Sequence, residues 1–370
     1  MGKSRLGDYI KEYSVKNKND EDIPVYSVTN TQGFCKDYFG KEVASKDKTT
    51  YKIVPRGCFA YNPSRINVGS VDWQRNEDRV IVSPLYNVFS VSEELNLQYL
   101  YYYLKSDFAL QRIRAVATGS VRDNLKLNML YEFPINIPTI DEQNILVDKL
   151  DKARKIIALH QEELKLLDEL MRGRFVELFG ECRKRVFLND LCSIITDGTH
   201  QPPKFQSDGV PFIFVSNLAR DIITYDTEKY ISAETYLELY KRTPIEIGDV
   251  LLSTVGSYGH PAVVTEAKKF LFQRHIAYLK PKHDIVNSFF LHSALLSPDG
   301  QRQIKEKVKG IAQKTLNLSE IRKIEIPLPE LQKQNQFADF AHQVDKSKFR
   351  GFSMLTTMKS AYEQQTLIYP

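Results

Sequence analysis

The feature that most constrains the fold is a highly charged segment, residues 141–179, whose apolar residues recur every three or four positions. Their mean spacing is about 3.5 residues, the period of a coiled-coil seam. Pro138 precedes the segment and Gly180 follows it, and these residue types favour the start and the end of a helix. Such a helix would be roughly 55 Å long at 1.5 Å per residue. Because its apolar stripe is narrow, it requires a partner helix of similar length.

The partner helix is predicted within the same chain. A second, mostly apolar series lies downstream at one constant offset, by which Leu146 corresponds to Phe337. Lys348 and Gly351 interrupt this series, and we expect weaker pairing there because glycine destabilises a helix interior. The predicted pairing residues of the first helix are Leu146, Leu150, Ile157, Leu164, Leu167 and Met171. Those of the second helix are Phe337, Val344, Leu355 and Met358.

The same offset relates residues upstream of both helices, which indicates a tandem duplication. The pair Gln143-Asn144 matches Gln334-Asn335, and residues 83–88 lie over residues 274–279. The predicted parts are a first globular domain at 1–139, a first helix at 140–180, a second domain at 181–328 and a second, shorter helix at 329–370. Within the first domain, Tyr99, Tyr101, Tyr102 and Tyr103 lie on a helical run and are interpreted as core residues.

Composition limits the class of protein. The chain is 42% hydrophobic and 26% charged, which is typical of a soluble globular protein. No apolar run reaches the roughly 20 residues that a membrane helix needs, and the first residues do not form a signal peptide. The four cysteines show no metal-ligand spacing, so we expect reduced thiols in a cytoplasmic protein. The net charge of +5 permits DNA binding without arguing for it.

Polar loops of the first domain carry residue types that read base edges or hold phosphates. The loop at residues 62–69 lies between strand-like runs, and another follows the helical run at residues 117–124. The candidates for base reading are Asn62, Ser64, Arg65 and Asn67. Arg122 and Lys126 are candidates for phosphate contacts. Taken alone, these loops are more simply interpreted as ordinary polar surface.

The second domain keeps the scaffold and changes the loops, at residues 197–203, 253–260 and 310–315. The candidates for base reading are Thr199, His200, Thr254, Ser257, Tyr258 and His260. Gln313 and Lys314 are candidates for phosphate contacts. This pattern suits two readers of different targets better than a duplicated catalyst, which would keep its reactive residues in both copies.

The sequence offers little for catalysis. It contains no Walker-type phosphate loop, and no Gly-x-Gly-x-x-Gly follows a strand. Asp249, Glu266 and Lys268 have the spacing of a metal-dependent nuclease, but the first repeat has Cys58 at the position of Asp249. The histidines show no zinc-ligand spacing. We therefore expect no metal and no catalytic residue on this chain.

The order of these parts resembles the specificity subunit of type I restriction-modification systems. The resemblance rests on two variable domains, each followed by a long helix that is entered through Asp141-Glu142-Gln143 or Gln334-Asn335-Gln336. It also rests on Arg174-Phe175-Val176-Glu177-Leu178-Phe179-Gly180 at the end of the first helix, on Asp197-Gly198-Thr199-His200 and on Gly310-Ile311-Ala312-Gln313-Lys314. It covers nearly the whole chain.

The resemblance implies an α+β protein with two similar mixed α/β target-recognition domains. Their helices would form an antiparallel coiled coil with pseudo-twofold symmetry. Each domain would read one half of a bipartite site in double-stranded DNA, and the helices would set the gap. Two adenine methyltransferase subunits would bind the outer helix faces, and motor and nuclease restriction subunits would join them. S-adenosylmethionine, ATP and Mg²⁺ would be bound by these partners, and this chain would be non-catalytic.

Two other functions fit parts of the sequence. A coiled-coil scaffold with two protein-binding heads would use the same helices without reading DNA. A nuclease would require metal-dependent cleavage by this chain alone. Within the resemblance, the low net charge predicts weak DNA binding by the isolated chain and tight binding only in the complex.

Overall fold

The structure is a computed structural model that describes residues 4–36, 47–117, 124–218, 220–310 and 313–366, without the side chains of 362–366. The chain divides into two compact units. Unit 1 comprises Met1–Gln161 and Ser353–Pro370, and unit 2 comprises Glu162–Phe352. Each unit therefore combines one globular domain with parts of both long helices.

Unit 1 is built around a four-stranded antiparallel sheet with the order β2-β9-β6-β7. The described strands are β1 (Ser4–Arg5), β2 (Ile10–Glu12), β3 (Ser27–Thr29), β4 (Gly33–Cys35), β5 (Lys52–Pro55), β6 (Phe59–Tyr61), β7 (Val71–Trp73), β8 (Arg79–Val82), β9 (Asn87–Val91) and β10 (Pro134–Ile135). The helices are α1 (Leu97–Lys105), α2 (Asp107–Val116), α3 (Leu127–Tyr131) and the long α4 (Ile140–Phe179), which continues into unit 2.

Unit 2 repeats this plan with a sheet of order β12-β18-β15-β16. Its described strands are β11 (Arg185–Phe187), β12 (Cys192–Asp197), β13 (Val210–Ile213), β14 (Tyr230–Ile231), β15 (Val250–Ser253), β16 (Pro261–Val263), β17 (Leu271–Phe272), β18 (Ile276–Pro281) and β19 (Glu325–Pro327). The helices are α5 (Leu188–Leu191), α6 (Ala233–Tyr240), α7 (Ser288–Leu296), α8 (Pro298–Lys307), α9 (Leu318–Ile321) and the long α10 (Leu331–Thr366). Two similar mixed domains, each followed by a long helix, confirm the predicted fold class.

Strand pairing corrects the alignment of the two repeats at one place. Phe59 pairs with Phe89 in unit 1, and the matching Val250 pairs with Leu279 in unit 2. A constant offset would instead match Phe89 with Lys280, so the overlay of residues 83–88 on 274–279 is one residue out of register. A one-residue shift in the alignment would place every side chain of the strand on the opposite face of the sheet. The strand pairing, and not the constant offset, therefore gives the correct match between the two repeats.

The tyrosine-rich helix α1 forms much of the core of unit 1. Tyr99, Tyr102 and Tyr103 are at most 1% exposed, which confirms that they are core residues. The hydroxyl of Tyr99 donates to Asn136 O at 2.9 Å, so the core also holds the segment that leads into α4. Tyr101 is only half-buried and packs at the edge of this core.

Each long helix has a buried glutamine as its fourth residue, and the side chain of this glutamine forms hydrogen bonds with the preceding domain. In unit 1, Gln143 is fully buried, and its side-chain oxygen accepts a hydrogen bond from Asn96 N at 2.8 Å. Its Nε2 donates to Glu94 O at 2.8 Å and to Pro138 O at 2.9 Å. Asn96, the N-cap of α1, also donates from Nδ2 to Asn144 Oδ1 at 2.8 Å.

Gln334 makes the same contacts at the start of α10. It is fully buried, accepts from Asn287 N at 3.0 Å, and donates to Ile285 O at 3.1 Å and Pro329 O at 2.9 Å. Asn287 donates to Asn335 Oδ1 at 2.9 Å. The repeated Gln-Asn pair in the sequence is therefore a repeated contact, which we call the glutamine joint. Because these buried amides have their partners, the joint fixes each helix to its domain at low cost.

Within unit 2 the end of α4 packs antiparallel against α10. Asp168 bonds Lys348 Nζ at 2.7 Å, while Phe175, further along α4, stacks edge-on against Phe337, nearer the start of α10, at 5.4 Å between ring centroids. Lys348 therefore supplies an ion pair between the helices. The two helices approach closely at Gly351, where an added Cβ would come within 3.3 Å of Leu164 Cδ2.

The predicted pairing residues fall into two groups. The first group packs on the globular cores: Leu146 and Leu150 on that of unit 1, and Met171 and Phe337 on that of unit 2. The second group lies beyond these cores: Ile157 and Met358 are half-buried in unit 1, where Leu355 is buried, and Leu164 and Leu167 are half-buried in unit 2, where Val344 is buried. The apolar stripe thus seats each helix on its domain, while helix pairing through the residues of the second group stays a prediction.

The four cysteines, Cys35, Cys58, Cys182 and Cys192, form no disulfide bond. Among the described helices, none has the length and apolar character needed to cross a membrane.

Candidate nucleic-acid interface

The Asn62 turn, residues 62–69, follows β6 and is shaped by its own side chains. Asn62 Oδ1 accepts a hydrogen bond from Ser64 N at 3.0 Å, which closes the turn. Ile66, fully buried, anchors a short 3₁₀ helix, Ile66–Val68. Arg65 immediately precedes this helix and its side chain is exposed. The fold therefore presents an arginine on a constrained turn at the end of a core strand.

A second segment of the first domain is bonded to this turn. Ser64 Oγ donates to Asn124 Oδ1 at 2.7 Å, and Leu125 N donates to Pro63 O at 3.2 Å. Lys126, the next residue, is exposed at the start of α3. The end of the second predicted loop, at Asn124, thus meets the Asn62 turn in unit 1. Arg122 lies outside the described residues.

In the second domain the turn after β12 is held by a shared carboxylate. Asp197 Oδ2 bonds His200 Nε2 at 2.8 Å, and its Oδ1 accepts from Arg242 Nη2 at 2.6 Å. Gly198, which lies between Asp197 and His200 in the sequence, is very close to the backbone at Phe272, and an added Cβ would come within 2.2 Å of Phe272 O. Because that atom belongs to the backbone, only glycine fits. His200 is exposed beside the arginine.

The turn between β17 and β18, residues 273–275, links the predicted loops of the second domain. Thr199 N donates to Phe272 O at 2.9 Å, and Arg274 N donates to Thr199 O at 3.0 Å. On the other side, Thr254 N donates to His275 O at 2.9 Å. Arg274 is exposed and His275 is half-buried. Burial lowers the pKa of His275, and the adjacent Arg274 lowers it further.

The remaining predicted segments join the same surface. Leu316 N donates to Thr254 O at 2.8 Å, and Gly256 N donates to Lys314 O at 3.2 Å. Gln313 and Lys314 are exposed. Backbone hydrogen bonds therefore connect residues 197–200, 273–275, 254–260 and 313–316 into one surface, which we call the four-segment surface. Its exposed cations include Arg274 and Lys314, and the exposed Arg242 is bonded to it through Asp197.

His260 is the last residue of the loop at 254–260, and its side chain forms a hydrogen bond with Asp221. Its Nδ1 lies 2.9 Å from Asp221 Oδ1, and the backbone oxygen of Asp221 is 3.1 Å from His292 Nε2. The hydrogen bond to Asp221 raises the pKa of His260, although partial burial opposes it. Burial lowers the pKa of His292 despite the nearby charge of Asp221. The protonated form is thus favoured at His260, and the neutral form is favoured at His292.

Not every predicted residue is available to a ligand. Thr254 is only 5% exposed, and the half-buried Tyr258 packs against the core of unit 2. Ser257 is exposed at the tip of its loop, and Thr199 and Asn67 are half-buried. Asn67 offers its backbone oxygen to Arg114 Nε at 3.2 Å. The residue type alone did not reveal which side of each loop faces the core.

Sequence reasoning missed Arg242, Arg274 and His275. The constant offset places Arg274 and His275 on Ser83 and Pro84. The structural register instead matches His275 with Leu85, which is 77% exposed at the corresponding turn of unit 1. A signal was present, because three polar residues at 273–275 separate two apolar strands.

The residues whose spacing resembles that of a metal-dependent nuclease make contacts within the fold of the second domain. Asp249 is fully buried, accepts from Tyr278 OH at 2.8 Å and Glu246 N at 2.8 Å, and pairs with Lys280 at 3.3 Å. Lys268 lies over the ring of Tyr225 at 4.3 Å. In the described part of the chain, no three His, Cys, Asp or Glu side chains group as a metal site would require. The carboxylate of Asp249 thus contributes to the core of the second domain.

Comparison with known proteins gives a family match over both repeats. The model of the type I restriction modification DNA specificity domain matches residues 3–169 and again residues 183–350. The two matches together cover most of the chain, and each includes one globular domain with much of the helix that follows it.

Two curated relatives carry the same kind of name. The specificity subunit of the type I restriction enzyme EcoBI from Escherichia coli is 23% identical over an alignment of 336 positions that covers 80% of this chain and 70% of that protein. The specificity subunit of the type I restriction enzyme MjaVIII from Methanocaldococcus jannaschii is 21% identical over 271 residues. That match covers 67% of this chain and 63% of the relative, so part of the relative lies outside the match.

Two solved structures share the fold. A chain from a study of complex assembly and conformational transition of the type I R-M system superposes with a TM-score of 0.57 at 20% identity, covering 99% of this chain and 96% of that one. The S subunit of a type I restriction-modification system from M. genitalium superposes with a TM-score of 0.56 at 14% identity, covering 100% and 96%. The likeness extends over nearly the whole of each chain.

Proposed function

The chain belongs to the family of type I restriction-modification DNA specificity domains, and from this premise we propose that it is the subunit that reads a bipartite DNA site. Each globular domain would read one half-site in double-stranded DNA. The long helices would hold the halves at a fixed gap. The family carries the role in DNA sequence specificity, and the division of that role between the two domains is our proposal.

The observation that carries the proposal is the four-segment surface of unit 2. On this surface the exposed side chains of Arg274, His200 and Lys314 come from three separate segments, and backbone hydrogen bonds join these segments. Arginine and histidine side chains are suited to base edges and phosphates in the major groove. Because the framework is held by backbone hydrogen bonds, side chains there are free to differ between relatives without loss of the fold.

We further propose that methyltransferase subunits bind the outer face of the helices. In unit 1, Ile156 and Leu159 of α4 are exposed, Leu159 by 61%, and in unit 2 the same is true of Leu166 and Leu170. Steps of three, seven and four residues put these side chains on one face of a helix. An exposed apolar face of this kind favours a stable protein partner. At the equivalent positions α10 carries Ser347, Arg350, Thr357 and Ala361, which do not form a comparable face of large apolar side chains.

The remaining components follow from the same proposal. The two adenine methyltransferase subunits would supply S-adenosylmethionine, and the motor and nuclease subunits would use ATP and Mg²⁺. This chain would bind none of these cofactors and would catalyse no step. The complex would act on chromosomal DNA in the cytoplasm.

The test is reconstitution. The chain would be produced together with the methyltransferase encoded beside it, and adenine methylation would be mapped across a bacterial genome by single-molecule sequencing. We expect a split motif with two short specified halves around a fixed gap. The matched control is the same complex with Leu159→Glu and Leu170→Glu, which should fail to assemble although the chain remains folded.

Other outcomes would refute parts of the proposal. A complex that forms and methylates a continuous motif would refute the bipartite site. A folded chain that binds neither the methyltransferase nor DNA would favour a coiled-coil scaffold for other proteins. Metal-dependent cleavage of DNA by the isolated chain would refute the non-catalytic role.

A further inference from the structure

A three-residue turn of the first domain, Asn30-Thr31-Gln32, joins β3 to β4 and is exposed at all three positions. We call these residues the hairpin tip. Thr29 pairs with Gly33 at the base of the turn, and Gln32 N donates to Thr29 Oγ1 at 3.1 Å. Gly33 has a φ of +63°, the left-handed conformation that often ends a turn of this length. The hairpin tip is therefore a closed turn.

A buried carboxylate of the neighbouring sheet holds this turn in place. Asp72 of β7 is 7% exposed, and its Oδ2 accepts a hydrogen bond from Phe34 N at 3.2 Å. The approach is so close that a Cβ on Gly33 would come within 1.9 Å of the same oxygen. Asp72 is itself fixed, because its Oδ1 accepts from Trp73 N at 2.9 Å and pairs with Arg75. The hairpin therefore has a defined position on the sheet.

The hairpin tip adjoins the Asn62 turn. Lys105, at the end of α1, donates from Nζ to Asn30 O at 2.8 Å. Gly69, the last residue of the Asn62 turn, lies so near that an added Cβ would come within 2.9 Å of Asn30 Oδ1. Gly69 closes the turn that carries Arg65, since Ser70 N donates to Arg65 O at 3.1 Å. The hairpin tip and the exposed Arg65 are thus on neighbouring turns.

The two amide side chains of the hairpin tip differ in their contacts. Asn30 Oδ1 lies 3.4 Å from Lys105 Nζ, so this amide helps to hold the turn. In the described part of the chain, the exposed side-chain amide of Gln32 has no hydrogen-bond partner. A glutamine amide offers donors on nitrogen and an acceptor on oxygen. Adenine presents the complementary pair in the major groove, an N7 acceptor and an N6 donor.

We propose that the hairpin tip is a further base-reading segment of the first domain and that Gln32 reads an adenine in the major groove. The inference rests on the proposed function and adds a residue to it. Gln32 Nε2 donates to N7 of the adenine, and Gln32 Oε1 accepts from its N6 amino group. Asp72 and Gly33 are positioning residues, because they fix the turn before DNA binds and so reduce the entropy that binding costs.

The second domain carries a different element at this place. Val25 forms a parallel bridge in unit 1 like that of Phe212 in unit 2, which identifies the matching positions. The hairpin follows Val25, whereas a short 3₁₀ helix, Val215–Leu218, follows Phe212. Asn217 of this helix is buried. Replacing Gln32 should therefore affect only the half-site that the first domain reads.

The first experiment maps the methylation motif of the reconstituted complex with Gln32→Ala. One position of one half should relax, and it should belong to the half that Arg65→Ala also alters. Gln161→Ala is the control, because it removes an exposed glutamine of α4 outside the domain, and it should leave the motif unchanged. Thermal melting checks that all variants are folded.

A base analogue then tests the contact itself. 7-Deazaadenine has carbon in place of N7 and keeps Watson–Crick pairing. It replaces each adenine of that half-site in turn, and fluorescence anisotropy of the labelled duplex gives the affinity of the complex. At one adenine it should weaken binding by wild type about 5-fold, the effect of one hydrogen bond, and should not weaken binding by Gln32→Ala further. In the other half-site the analogue should cost both proteins equally.

Contrary results separate this contact from the proposed function. An unchanged motif in the Gln32→Ala complex would overturn the inference and leave the proposed function intact. An analogue cost that is equal in wild type and Gln32→Ala at every adenine would also overturn it, and so would a half-site without an A·T pair. If the wild-type complex methylated no split motif, the proposed function would fail, and this contact with it.

Discussion

Arg274 and Arg65 are exposed arginines on turns whose backbones are fixed by hydrogen bonds, in the second and first domains respectively. An arginine so placed offers two parallel donors to a guanine. Neither side chain belongs to a core, so replacing either should affect recognition more than stability. Single substitutions at these two arginines therefore report on recognition more than on stability.

Replacing Arg274 with alanine should relax one half of the methylated motif and leave the other half unchanged. A good bidentate base contact contributes about 1–3 kcal/mol of discrimination. The readout is the mapped methylation motif of the reconstituted complex, with Arg65→Ala as the matched variant for the other half. Equal degeneration of both halves by one substitution would contradict separate readers.

His260 should give the protein a pH-dependent increment of stability. Its pKa is raised in the folded protein, chiefly by the hydrogen bond to Asp221. The increment is complete below the unfolded pKa of about 6.5 and is lost as pH rises through the higher folded value. Urea unfolding of wild type and His260→Asn should differ more at pH 6 than at pH 9.

The contribution of His292 has the opposite sign, because burial lowers its pKa, and Asp221 links it to His260, so the two proteins are also compared with His292→Asn in both. Asp221→Asn is the control, since it removes the charge that His260 pairs with. A difference between wild type and His260→Asn that stays constant from pH 6 to pH 9 would rule out this linkage.

At the scale of elements, the long helices were the most predictable part of the fold and the loops the least. The period of 3.5 residues and the repeated Gln143 and Gln334 come from local sequence, which is why helices and duplication were found. The slipped register of residues 83–88 was missed because it depends on pairing with a distant strand. The sequence predicts Thr254 as a base-reading residue although its side chain is buried, because a polar loop does not show which side chain turns inward.

The ion pair between α4 and α10 in unit 2 can be measured as a coupling energy. Lys348 bonds Asp168 across the helices and lies 3.6 Å from Asp345 on its own helix. Lys348→Asp and Asp168→Lys should each destabilise the chain, and the double exchange should recover roughly 1 kcal/mol. Urea unfolding measures all four proteins. Strict additivity of the two changes would show that the pair contributes nothing.

The glutamine joint should contribute more, because it is fully buried. Gln143→Ala removes one acceptor and two donors and leaves Asn96 N, Glu94 O and Pro138 O without this partner. A loss of about 2–4 kcal/mol in the free energy of unfolding is expected. Gln161→Ala, at an exposed position of the same helix, should cost less than about 0.5 kcal/mol. Similar costs at both positions would contradict the role of the joint.

At the scale of the whole molecule, the duplicated plan implies that the two recognition functions are separable. Both domains carry the same sheet order and the same joint, while their exposed turns differ. A chimera that takes residues 181–328 from another family member should therefore keep its fold. Its methylation motif should change in one half and keep the length of the gap. A motif altered in both halves would show that the domains do not read independently.

The bonds of the glutamine joint run mostly to carbonyl and amide groups of the main chain, which every polypeptide possesses. A domain inherited from an unrelated gene meets the same chemical partner as the original, provided that an asparagine caps its helix. Genetic recombination within the two helices would then create a functional hybrid in a single event. A bacterial lineage carrying such a gene would acquire a new immune specificity by swapping a cassette, without passing through intermediates that recognise nothing.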